Sequence, residues 1–127
     1  MLTPPHRLEV CPQEEIVFTC SGSNSSIVVI EWRIQFVVGS SVQINGRIRN
    51  TNNNVLLGVA LSEEDSLGHM YFYMLTSQTP TMSSTLSTTA ASHLNGSTVQ
   101  CVEFTIAGTS TQSDPAMIVV TGTLIPI

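Results

Sequence analysis

The sequence predicts an all-β fold, a β-sandwich of two packed sheets. Three observations predict it. Short stretches alternate apolar and polar side chains with a period of two, turn-forming residues separate them, and no segment sustains the 3.6-residue period of a helix. Cys20, Trp32 and Cys101 each sit inside one of the alternating stretches.

The elements follow in order along the chain. Pro4-Pro5 forms an extended lead into a first strand, Arg7 to Val10, which Pro12 ends. Ile16, Phe18 and Cys20 then alternate with Val17 and Thr19, sending one set inward and the other toward solvent. Ser21 to Ser26 is a polar loop. The alternation is cleanest from Ile30 to Phe36: Ile30, Trp32, Ile34 and Phe36 share one parity and Glu31, Arg33 and Gln35 the other, so Trp32 points inward.

Gly39-Ser40-Ser41 closes that strand, Val42 to Ile44 begins another, and Asn45-Gly46 supplies the positive backbone angles of a tight hairpin. Asn50 to Asn54 is too polar to pack and loops out, after which Val55 to Leu61 is either a strand or an irregular cover. Glu63-Glu64-Asp65 reads as a solvated turn. Tyr71 to Thr76 is a strand with Tyr71, Tyr73 and Leu75 on one face, ended by Pro80. Met82 to Ala90 is a strand with a thin apolar face around Leu86. Leu94 to Ser97 turns into a strand whose Val99 and Cys101 face inward, leaving Gln100, Val102 and Phe104 outside. Gly108 to Asp114 is expected to be a loop, and Met117 to Thr121 the last strand.

The 127 residues suit one domain, 1–127 with a core from about 8 to 121, read as an excerpt of a longer extracellular protein. Only 10% of residues are charged, lysine is absent, and four arginines (Arg7, Arg33, Arg47, Arg49) face nine acidic residues for a net charge of −5. Nucleic acid is therefore not an expected partner, because phosphate binding relies on a basic surface. No stretch reaches the ~18–20 apolar residues of a membrane span, so a membrane is expected only through an anchor outside this chain.

Three cysteines allow three single pairings, and their positions alone do not choose among them. The triplets Asn24-Ser25-Ser26 and Asn95-Gly96-Ser97 match the N-glycosylation acceptor pattern, which makes Asn24 and Asn95 candidate attachment sites; each also describes an ordinary polar turn.

Taken together, Val17-Phe18-Thr19-Cys20, Glu31-Trp32-Arg33 and Asn95-Gly96-Ser97-Thr98-Val99-Gln100-Cys101 resemble the immunoglobulin superfamily over about Leu8 to Thr121. The resemblance implies an immunoglobulin-like sandwich with Greek-key topology and a disulfide between Cys20 and Cys101, with Trp32 packed on the bridge. The cysteines stand 81 positions apart, which leaves room for the extra strands of a variable-type or intermediate-type domain. The Cys-Pro at 11–12 and Leu-Asn-Gly at 94–96 look like divergent domains of invertebrate cell-surface proteins. On a chain-entropy basis, closing a loop of that length is worth roughly 4–5 kcal/mol. Cys11 is then left over, either as a small buried hydrophobe or as a bridge to a partner outside the chain. Two positions depart from the family pattern. Val99 stands where a corner tyrosine is usual, so that corner must be held otherwise. Asn95 stands where an aspartate often pairs with an arginine.

These readings lead to a non-enzymatic, extracellular or cell-surface recognition and adhesion module. It would act by protein–protein binding in a receptor or secreted protein, the partner including another immunoglobulin-like domain of the same or a different chain. The expected binding face carries Glu31, Arg33 and Gln35 beside Gln100, Val102 and Phe104, an apolar centre with a polar border. The loops Gly22 to Ser26, Asn50 to Asn54 and Gly108 to Asp114 offer adaptable hydrogen bonds as a second region. The alternatives are a structural spacer and, more remotely, a secreted β-sandwich enzyme. For the last, His69 lies close after Glu63, Glu64, Asp65 and Ser66, but His6, His69 and His93 fall in no catalytic or metal-binding pattern. The acidic run lacks a calcium-loop pattern, and neither a cofactor nor a metal is expected.

Overall fold

Period-two alternation becomes pairing in the computed structural model, which describes residues 1–36, 46–49, 57–65 and 67–122. Eleven strands are found among them: β1 (Leu2–Thr3), β2 (Arg7–Val10), β3 (Glu15–Ser21), β4 (Ile27–Gln35), β5 (Gly46–Arg49), β6 (Leu61–Glu64), β7 (Met70–Ser77), β8 (Ser83–Thr89), β9 (Thr98–Thr105), β10 (Ser110–Gln112) and β11 (Ala116–Val120), with a single 3₁₀ turn at Ser92–Leu94. One sheet has the order β1-β3-β8-β7-β6 and the other β2-β11-β9-β4-β5, with β10 also on β9. The chain crosses between sheets after β1, β2, β3, β5 and β8, the interleaved connectivity of a Greek-key sandwich. The molecule is thus an all-β, two-sheet sandwich, an arrangement compatible with an immunoglobulin-like domain.

The lead segment is split between the sheets. Leu2 pairs opposite Cys20 in the first sheet, and after Pro4-Pro5 the chain joins the second, where Arg7 to Val10 run parallel to Met117 to Val120. The prolines are therefore a crossing from one sheet to the other, where the sequence suggests only a lead.

The core forms where the inward parities of both sheets meet. Ile16, Phe18 and Cys20 from β3, Ile30, Trp32 and Ile34 from β4, Tyr71, Tyr73 and Leu75 from β7, and Val99 and Cys101 from β9 are all buried. Cys20 and Cys101 form a disulfide across the two sheets with a Cα–Cα distance of 6.2 Å. Trp32 is opposite Cys101 in the β4–β9 ladder and fully buried. Its indole N–H donates to Ser84 Oγ at 2.9 Å, and the Ser84 hydroxyl donates to the Met74 carbonyl at 2.8 Å. That chain satisfies a polar ring atom which would otherwise be costly in the core. It also explains why the inward face of β8 is Ser84, Leu86 and Thr88 instead of three hydrocarbons.

Three expectations change. Glu63 and Glu64 are not in a turn: Leu61 to Glu64 form β6, opposite Tyr73 to Met70, and Asp65 is buried. Gly108 to Asp114 is not one loop but a hairpin in which Ser110 to Gln112 pair with Phe104 to Val102; Gly108 makes the turn at φ 86° and donates to the Thr105 carbonyl at 3.0 Å. Cys11 is exposed, not buried, because it follows the last β2 residue into a turn closed by its own amide on Glu14 Oε1 at 2.8 Å. The expectations for Gly39 to Asn45, Asn50 to Asn54 and Val55-Leu56 lie outside the described residues.

Candidate functional site

The outer face of the β4–β9 ladder is set by the same register that buries Trp32. Opposite pairs along it are Val29 with Phe104, Glu31 with Val102, Arg33 with Gln100, and Gln35 with Thr98. All six residues expected on the binding face are brought together on two adjacent strands. Their exposure departs from an accessible apolar centre: Glu31 is 3% exposed and Val102 1%. Val102 is flanked in register by Glu31 on one side and Gln112 of β10 on the other, so two neighbouring strands cover it. Glu31 is tied down by Arg33, whose Nε and terminal nitrogen donate to Glu31 Oε2 at 3.0 and 2.8 Å. Arg33, Gln100 and Phe104 are half-buried and Gln35 is exposed.

One accessible member escaped the sequence reading. Met117 is paired with Thr98, which is itself opposite Gln35, so it extends the same face, and it is 42% exposed. The parity of β11 held the signal, since Ala116 and Ile118 are buried on either side of it. The accessible face thus runs from Arg33 and Gln100 to Gln35, Thr98 and Met117, with half-buried Phe104 beyond the covered Glu31–Val102 pair and the Arg33 guanidinium paired with the Glu31 carboxylate.

A second polar constellation joins the start of β7, the end of β8 and the 3₁₀ corner. Asp65 Oδ1 accepts from the Leu67 and His69 amides at 2.9 and 3.0 Å, and Oδ2 accepts from the Tyr71 hydroxyl and His93 Nε2, each at 2.9 Å. His69 Nε2 lies 2.8 Å from the Thr88 hydroxyl, and the His69 and His93 rings meet edge to face with centroids 5.0 Å apart. Burial pushes the Asp65 carboxyl up, but the hydrogen bonds from His93, the two amides and Tyr71 outweigh it and hold the group below its ordinary value. Burial, followed by the hydrogen bond to Asp65 and its charge, pushes the Tyr71 phenol far up; burial, followed by the Glu63 charge and hydrogen bond, pushes the Tyr73 phenol up.

The chemistry open to this cluster follows from its protons. A hydroxyl has one, and Thr88 donates its own to the Met70 carbonyl at 2.7 Å. Nε2 of His69 must therefore donate to Thr88, the reverse of a base drawing a proton from a nucleophile. The depression beside Phe72 is lined by Gln13, Glu15, Ser87, Thr88 and Thr89, without Asp65 or either imidazole. The constellation acts as a clamp. It also answers the missing corner tyrosine: the corner is held by His93 on Asp65, by Ser97 Oγ donating to the Leu94 carbonyl at 2.6 Å, and by Asn95 Oδ1 accepting the Val120 amide at 2.9 Å. The aspartate–arginine pair of the family pattern is absent, as Asn95 implied; instead an aspartate before β7, Asp65, meets a corner residue, His93.

Of the candidate sugar sites, Asn24 is exposed in the β3–β4 loop and Asn95 in the corner. Among the described residues no group of three or more His, Cys, Asp or Glu is placed to hold a metal ion, and no helix is long and apolar enough to cross a membrane. A scan against protein-family models finds no match, and a search of curated proteins likewise finds none.

Proposed function

We propose that the chain is an extracellular immunoglobulin-like recognition module that binds a protein partner through the outer face of β4, β9 and β11. The observation that supports it is the accessible stretch of that face from Arg33 and Gln100 through Gln35 and Thr98 to Met117, with Phe104 half-buried beyond the covered Glu31–Val102 pair. Among the described side chains it joins an aromatic ring, a thioether, a guanidinium paired with a carboxylate, and neutral amides, the composition of a protein contact. The oxidised Cys20–Cys101 pair supports an oxidising compartment. The same face serves a homophilic or a heterophilic partner.

The test is surface plasmon resonance of the multivalent chain against a panel of secreted ectodomains that includes the chain itself. Met117→Ala and Gln35→Ala are expected to weaken the partner's binding by tenfold or more, about 1.4 kcal/mol, if they lie at the contact centre. Their thermal midpoints should match wild type, because both side chains are at the surface. Val17→Thr, on the outside of the other sheet, should change neither. Binding lost with Val17→Thr but kept with Met117→Ala would place the contact on the wrong sheet and refute the reading.

A further inference from the structure

We infer that Asn24 carries an N-linked glycan, and that the glycan covers the end of the sandwich formed by the β3–β4 loop and the β9–β10 turn. The inference rests on the extracellular reading above. Asn24 is exposed, and its Oδ1 accepts both the Ser26 amide, at 2.9 Å, and the Ser26 hydroxyl. An N–H donor must face oxygen, so the orientation of the side-chain amide is fixed and Nδ2 is turned to the opposite side. The sequon is held with its hydroxyl on the acceptor amide and its nitrogen unengaged by either bond.

The other sequon is built differently. Ser97 is fully buried, and its hydroxyl is spent on the Leu94 carbonyl. Asn95 Oδ1 is occupied by the Val120 amide of β11. Presenting that triplet as an acceptor would dismantle the corner, whereas presenting Asn24 disturbs only a surface loop. Asn24 is therefore the principal site, and Asn95 is open to modification only before the corner forms.

The attachment uses a lipid-diphosphate-linked oligosaccharide as donor. The Asn24 Nδ2–C1 bond forms, the bond from C1 to the diphosphate oxygen breaks, the diphosphate leaves with the electron pair, and the proton lost from Nδ2 is taken up by the leaving group or solvent. What the sugar would cover is visible beside it. Ile106 is 81% exposed at the β9–β10 turn and donates its amide to the Ser26 carbonyl at 3.0 Å. A bare isoleucine next to an acceptor sequon is an apolar tip that a bulky hydrophilic group shields from association. The loop end is then closed to partners, which leaves the sheet face as the contact surface.

The experiment is secretion of the whole chain, with Asn24→Gln and Asn95→Gln variants, from a eukaryotic cell, followed by peptide-N-glycosidase in heavy-oxygen water and peptide mass spectrometry. Wild type and Asn95→Gln are expected to run as a heavier band that collapses with the enzyme, with Asn24 converted to heavy-oxygen-labelled Asp. Asn24→Gln should lose that shift and be retained longer on a hydrophobic-interaction column, with Ile106→Ser reversing the retention. A secreted chain with Cys20 bonded to Cys101 but Asn24 unconverted overturns this site alone. A chain retained in the cell with those cysteines reduced overturns the extracellular reading and this site with it. Unchanged retention of Asn24→Gln overturns the shielding role.

Discussion

Two ties fix this sandwich, one between its sheets and one between a sheet and the 3₁₀ corner, and they use opposite physics. The Cys20–Cys101 bridge with Trp32 beside it is covalent and apolar, and it owes its stabilisation largely to the unfolded chain it restricts. The Asp65 clamp is ionic and hydrogen-bonded, and it stabilises only while one buried carboxylate keeps its charge and its four donors. The first is nearly indifferent to pH and sensitive to reductant; the second is the reverse. The difference shows how a sandwich can fix this corner without the tyrosine that the resemblance implies, by placing an acid on a neighbouring strand end.

Breaking the ties separately measures the difference. The largest loss is expected for Cys20→Ala with Cys101→Ala, about 2–5 kcal/mol in denaturant unfolding. Asp65→Ala comes next, about 1–3 kcal/mol, because it strands the Tyr71 hydroxyl and the His93 ring nitrogen. Ser84→Ala lies in the same range, since it leaves the indole N–H without its acceptor. Arg7→Ala should fall within about 1 kcal/mol of zero, its partner Glu9 being as exposed as itself.

The pH response sharpens the comparison further. Asp65 has its folded pKa below the ordinary carboxyl value of 3.8, so the stability it confers is full well above that value and is lost as the pH falls through the folded pKa. Wild type should therefore lose stability on going from neutral pH to pH values below about 4, and Asp65→Ala should lose less over the same interval. Equal slopes would mean that the clamp contributes nothing. The two tyrosines give the alkaline counterpart: their raised pKa values hold the phenols neutral, a contribution complete below their ordinary pKa of 10.0 and lost as pH rises above it. Ultraviolet titration should show phenolate appearing together with unfolding.

The covalent tie was legible in the sequence and the ionic one was not, for a physical reason. Cys20, Trp32 and Cys101 lie in strands whose period-two pattern turns each of them inward, and the resemblance to the immunoglobulin superfamily implied the pairing that the cysteine positions alone left open. Asp65, His69, His93 and Thr88 come from a strand end, a strand start, a turn and an inward hydroxyl position, and nothing local in the sequence joins them. Glu63 and Asp65 look like solvent residues until pairing supplies Tyr73 and Tyr71 as donors. The binding face shows the same limit. Parity put Glu31 and Val102 on the outer side correctly, yet being outside the core did not mean being in water, because the Arg33 bridge and flanking strands cover them. Met117 was readable by that parity, but only once β11 was seen to extend the ladder past Thr98.

The most direct measurement is peptide mapping of the unreduced chain with free thiols alkylated first. The predicted result is one cross-linked peptide pair joining Cys20 to Cys101, with the label on Cys11 alone. Label on Cys20 or Cys101, or a bridge from either of them to Cys11, would contradict the pinned sandwich on which the placement of every surface residue depends.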